Sequence, residues 1–128
     1  MIFGTLMVLM ITMVLSCTYK NAEDVYPAPV VDNVTCDTTN ISYSNYIAPL
    51  LSDNCYRCHS QGNSYLGSGY VLDTWFNVIA QANSGNLVTD ISITDIGSVH
   101  HMPNGLPSLS QCDINKVKAW VSQGAKNN

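Results

Sequence analysis

The sequence predicts a small all-α domain. Three observations carry that expectation: apolar residues recur at helical i, i+3, i+4 spacing in separate segments, capping and stop residues bracket those segments, and no strand-rich pattern precedes Cys55. The chain has 128 residues, room for one domain. From Cys36 onward about 90 residues remain, a length at which an apolar core alone stabilises a fold only marginally. A staple is therefore expected, in the form of a disulfide, a metal or a large apolar cofactor.

The elements follow in order. Ser44 to Asn54 (SNYIAPLLSDN) puts Tyr46, Ile47, Leu50 and Leu51 on one helical face. Pro49 lacks a backbone donor and clashes with the preceding turn, so this helix should start near Ala48 or bend there. A second helix is expected through Trp75, Phe76, Val78 and Ile79, capped by Asp73 and stopped near Ser84-Gly85. The last helix has a variant capping box in Ser110 and Asp113, an apolar stripe of Ile114, Val117, Trp120 and Val121, and a stop at Gly124. That stripe makes Trp120 a core residue.

The start of the chain reads as processing information. Ile2 to Leu15 is almost wholly apolar, yet shorter than the roughly 20 residues that cross a hydrocarbon core, so residues 1–16 are read as a signal peptide. No Lys or Arg precedes the run. Val14-Leu15-Ser16-Cys17 resembles a bacterial lipobox, in which cleavage before the cysteine leaves its thiol to carry a diacylglycerol anchor. An ordinary signal peptide cut nearby, or an uncleaved anchor, are the alternatives. Residues 17–35, with Pro27 and Pro29 and scattered apolar side chains, then suit a tether from the lipidated Cys17 to a domain at 36–128. The expected location is the cell envelope, on the periplasmic or outer side, lipid-anchored to a bacterial membrane.

Charge excludes one class of partner. The formal net charge is -4, and four Lys and one Arg give no basic stripe of the kind that attracts phosphate backbones, so nucleic acid is not expected as a partner.

The stretch that carries chemistry is Cys55-Tyr56-Arg57-Cys58-His59, the pattern of a c-type haem attachment site. Two thiols three residues apart at the end of a helix can reach the two vinyl groups on one edge of a porphyrin, and the next residue, His59, can swing beneath the ring to ligate iron. A redox dithiol would need a βαβ context that is not present. Zinc would need two further ligands, and Cys36, Cys112, His100 and His101 offer no second closely spaced pair.

A second axial ligand is sought by elimination. Of five methionines, Met1, Met7, Met10 and Met13 fall in the leader, which leaves Met102 in the loop-like run His100-His101-Met102-Pro103-Asn104-Gly105. A thioether on iron raises the reduction potential and fills the sixth position. Core packing is the plain alternative for Met102. His100 or His101 could instead ligate, for a bis-His haem, or stand beside an open iron.

With CYRCH, a Met-Pro loop and a terminal amphipathic helix in that order, residues 41 to 126 resemble the class I cytochrome c domain. Cys36-Asp37-Thr38-Thr39-Asn40, Leu109-Ser110-Gln111-Cys112-Asp113-Ile114 and Lys118-Ala119-Trp120-Val121 are similar to the single-haem cytochrome c lipoproteins of Bacteroidota. The resemblance implies a small helical fold in which the first and last helices cross and one covalent haem c lies in the cleft. Trp75 and Phe76 are candidates for its edge or for the core. It also implies electron transfer rather than catalysis, with redox proteins as donor and acceptor. A haem enzyme or gas sensor, and a fixed subunit of a larger membrane complex, are the competing expectations. The leftover cysteines, Cys36 and Cys112, are outside the haem motif, and a secreted setting permits a bridge between them.

Overall fold

Short polar side chains set where each helix begins, and those starting points position the rest. The computed structural model describes residues 35–128. The expected leader, Cys17 and the tether up to residue 34 lie outside the described residues. Among the described residues 50% of the chain is helical and no strand forms, as an all-α class requires. No helix among them is long and apolar enough to cross a membrane.

Ser42 accepts the Asn45 N–H at 3.2 Å and opens a π-helical turn over Tyr43–Ile47, which runs straight into α1, Ala48–Asn54. The wide turn resolves the conflict at Pro49. The Ala48 N–H reaches back five residues to the Tyr43 carbonyl, and Pro49 falls in the first turn of α1, where its missing N–H costs no helical bond. At Cys55 the backbone departs from helical geometry (φ -121°), and α2, Tyr56–His59, continues as a separate short helix.

The chain then makes a 3-10 turn at Gln61–Asn63 and a series of tight turns to Tyr70. Next comes α3, Trp75–Ser84. Its cap is Thr74, whose hydroxyl accepts the Asn77 N–H at 3.3 Å, and not Asp73 as expected. Asp73 points elsewhere, accepting the Gln61 N–H at 2.8 Å and tying the approach to α3 back to the turn after α2. The stop at Ser84-Gly85 is where it was expected: Gly85 takes a left-handed φ of 82°, which costs glycine little. Gly85 also begins α4, Asn86–Ile91, an element with no counterpart in the sequence reading.

Last is α5, Gln111–Ser122. Ser110 accepts the Asp113 N–H at 3.1 Å and donates its own hydroxyl to the Asp113 carboxylate at 2.6 Å, so the box closes side chain to side chain. At the other end Gly124 (φ 94°) donates to Val121 O and Ala125 donates to Trp120 O, the paired bonds of a Schellman stop.

Apolar residues from every long segment meet in one core. Ile47 and Leu51, Val78 and Ala82 of α3, Leu87 and Ile91 of α4, and Ile114, Val117 and Trp120 of α5 are all buried. Trp120 is 1% exposed, its ring 5.8 Å from that of Tyr43. Phe76 is 77% exposed and forms no part of the core. It stands two residues before Val78, which turns it about 200° around the helix from the buried Val78–Ala82 face. Trp75, three before Val78, packs on the core and donates its indole N–H to Ala125 O at 2.9 Å.

The first and last helical segments are tied through side chains. The Tyr46 hydroxyl donates to the Asp113 carboxylate, and Lys116 Nζ lies 4.2 Å above the Tyr46 ring. Cys36 and Cys112 are joined by a disulfide across a separation of 76 residues, with Cα atoms 5.6 Å apart. That bridge links the start of the described chain to the first turn of α5.

Candidate functional site

The site begins where α1 hands over to α2. The N–H groups of Cys58 (3.1 Å) and His59 (2.8 Å) both bond to the Cys55 carbonyl, so the two thiols and the imidazole are carried on one tight helical turn. Cys55 and Cys58 are half-buried and unbridged. Burial, and secondarily the neighbouring Cys58, push the Cys55 thiol up to about 11. At neutral pH only on the order of one molecule in 10⁴ then carries the thiolate there. A thiol so held is a poor redox nucleophile.

His59 is oriented by the loop that follows it. Its Nδ1 lies 3.1 Å from the Tyr70 main-chain oxygen. A carbonyl only accepts, so this nitrogen carries the proton and Nε2 keeps its lone pair for a metal. The Leu72 N–H closes the same loop onto His59 O at 2.7 Å. Gly67 packs on the ring: a Cβ at that position would stand 2.5 Å from Nδ1, 2.9 Å from Cε1 and 2.7 Å from Cys58 O. Only glycine permits this approach. The reason is space and not a left-handed backbone.

Met102 sits on the loop between α4 and α5. It is partly buried against the core, and its N–H donates to Asp90 O at 3.2 Å. The Met102–Pro103 peptide is cis. The two adjacent histidines behave differently from each other. His100 is exposed. His101 is 0% exposed, with Nδ1 2.6 Å from Ile93 O and Nε2 3.0 Å from Leu106 O, so its ring lies between two main-chain carbonyls of its own loop, one of which accepts its ring N–H.

Cys55 and Met102 border the same apolar core, which also receives Tyr56. The segments on which His59 and Met102 depend share another property. Tyr65 (77%), Leu66 and Tyr70 in one, and Ile96, Val99 (77%) and Leu106 in the other, are large apolar side chains left facing solvent. Concentrations of exposed apolar surface of this kind mark ligand or partner contacts.

Among the described residues no three His, Cys, Asp or Glu side chains converge as a metal-binding group, so Cys55, Cys58 and His59 do not gather as zinc ligands would. Cys55 and Cys58 offer two unbridged thiols and His59 a held imidazole within five residues of one another. Cys17 lies outside the described residues.

No protein-family model, curated protein or solved structure matches the chain. Fold and site thus define a class by their own chemistry: a small helical domain with a paired-thiol turn, an oriented imidazole and a thioether on a braced loop. Three contributors to that site carry no sequence signature of their own. The paired glycines of Gly67-Ser68-Gly69 signal a turn but not which of them abuts the imidazole. Tyr70 acts through its carbonyl, which every residue possesses, and the burial of His101, one of two histidines beside Met102, shows only in the folded chain.

Proposed function

We propose that residues 36–128 are a single-haem c-type cytochrome domain of class I type that transfers electrons, tethered through Cys17 to the outer or periplasmic side of a bacterial membrane. In this reading Cys55 and Cys58 hold haem c by thioether bonds, His59 Nε2 ligates the iron on one side and Met102 Sδ on the other. The observation that carries it is the His59 ring, fixed by Tyr70 O and Gly67 immediately after the two thiols, with Nε2 left to ligate.

Bound haem supplies reversible one-electron chemistry at iron. The chain's own residues do the rest. Gly67 and the Tyr70 carbonyl hold the imidazole in one orientation and tautomer, and the hydrogen bond at Nδ1 makes Nε2 more basic. Met102 Sδ would be the second protein ligand, leaving no protein-free position for a substrate. The exposed apolar side chains of the 65–70 and 96–106 segments would supply surface for shielding the bound group from water, which would tune its potential. With His59 and Met102 both ligating, the activity left to the group would be exchange of electrons with a donor and an acceptor protein.

The test is the visible spectrum, oxidised and reduced, of protein made with thioether maturation machinery, together with a haem stain after denaturing electrophoresis. A six-coordinate low-spin spectrum and a stained band are expected, with the band lost in the Cys55→Ala, Cys58→Ala double variant. Wild-type protein that matures without covalent haem overturns the reading. Prompt carbon monoxide uptake by the reduced protein would instead favour an open-iron sensor or enzyme.

A further inference from the structure

His101 is the one buried polar or charged side chain of the described core, and its place in the loop gives it a task. Between α4 and α5 the main chain is held mostly by bonds to near neighbours. Ser98 N–H reaches Asp95 O, His101 N–H reaches Ser98 O and Leu106 N–H reaches Pro103 O, all over three residues. Contacts of that span shape turns but do not close a loop. Two groups do close it. The Met102 N–H bonds to Asp90 O on α4, and the His101 ring spans from Ile93 O, before the loop turns, to Leu106 O, after it.

Resting on the haem reading above, we propose that His101 is a positioning residue for Met102. Its buried imidazole fills the space between both arms of the 93–106 loop, one residue from the thioether, and its N–H donates to a carbonyl of one of them. A thioether is a weak donor, so its bond to iron depends on being presented in place rather than on intrinsic strength. The adjacent imidazole supplies that placement without contributing a ligand. Burial protects that hydrogen bond from competition with water and holds the ring packed between the two arms.

The discriminating variant is His101→Phe, which fills nearly the same volume with no ring nitrogen. The holoprotein should keep its haem stain and helical circular dichroism. It should lose most of the thioether-to-iron charge-transfer band and take up carbon monoxide about 10- to 100-fold faster when reduced, the range in which lost outer contacts weaken metal ligation. His101→Gln, which keeps an N–H donor for a loop carbonyl, should fall between Phe and wild type and covers the case in which the Phe variant folds poorly. Amide exchange at Met102 should rise in the same order. A His101→Phe protein with wild-type band, gas uptake and exchange overturns the positioning role alone. Wild-type protein that itself takes up carbon monoxide promptly overturns Met102 as ligand, and this role with it.

Discussion

Gly67 lies against the His59 ring so closely that a methyl group in place of its hydrogen would stand 2.5 Å from Nδ1. The same ring nitrogen bonds to Tyr70 O, so any displacement of the loop at Gly67 also breaks the bond that selects the tautomer. Ligand orientation and loop packing are thus one structural feature.

The first prediction follows directly. Gly67→Ala forces the loop off the imidazole and should destabilise the domain by about 1–3 kcal/mol, as overpacking does. It should also disturb the low-spin spectrum of the haem-loaded protein. Gly62→Ala is the control, since nothing lies within 4 Å of a Cβ there, and its melting curve should stay within about 0.5 kcal/mol of wild type. Equal melting of the two variants would contradict the close approach.

On the haem reading, Met102→Ala should leave covalent attachment intact, because that reading assigns it to Cys55 and Cys58. The reduced variant should bind carbon monoxide promptly, and its reduction potential should fall, since a thioether ligand raises it. A potential and gas-binding rate equal to wild type would show that Met102 is only packing.

The Tyr46–Asp113 bond makes alkaline stability predictable. Burial first, then the hydrogen bond and charge of Asp113, push the Tyr46 hydroxyl from 10.0 up to about 12. A folded-state value above the unfolded one means that the protonated phenol stabilises the fold. This contribution is complete below about 10 and lost as pH rises through about 12. Tyr43 and Tyr56 are raised as well, chiefly by burial, and add to the same alkaline limb. Denaturant titrations between those pH values should show stability falling, with a shallower fall in Tyr46→Phe. At neutral pH that variant should lose about 1 kcal/mol for the missing hydrogen bond. An identical alkaline slope in both proteins would remove Tyr46 from the account.

The bridge between Cys36 and Cys112 closes a loop of 76 residues in separation. Chain entropy gives such a closure up to about 4–5 kcal/mol. The Cys36→Ser, Cys112→Ser double variant should therefore show a much lower denaturant midpoint than the oxidised protein, with reductant lowering the wild type alone. A midpoint insensitive to both treatments would mean that the thiols are not paired.

What could be read from the sequence is what neighbours along the chain decide. The CYRCH turn, the Ser110 cap, the Gly85 and Gly124 stops and the apolar stripe of α5 all depend on residues three or four apart, and their periodicity survives without tertiary context. Pro49 announced a helix start near Ala48, though not the π turn that makes room for it. Other features needed the folded chain. The six residues of α4 are too few for a periodic pattern, and its helix stands because Leu87 and Ile91 are buried by the rest of the core. Asp73 and Thr74 are both good caps, and the choice between them fell to the turn at Gln61, which takes the Asp73 carboxylate. The same holds at the site. Sequence alone left His100 and His101 standing as alternatives beside Met102. Tertiary structure set the two histidines apart, because only the folded chain buries His101 between the carbonyls of Ile93 and Leu106 while it leaves His100 exposed.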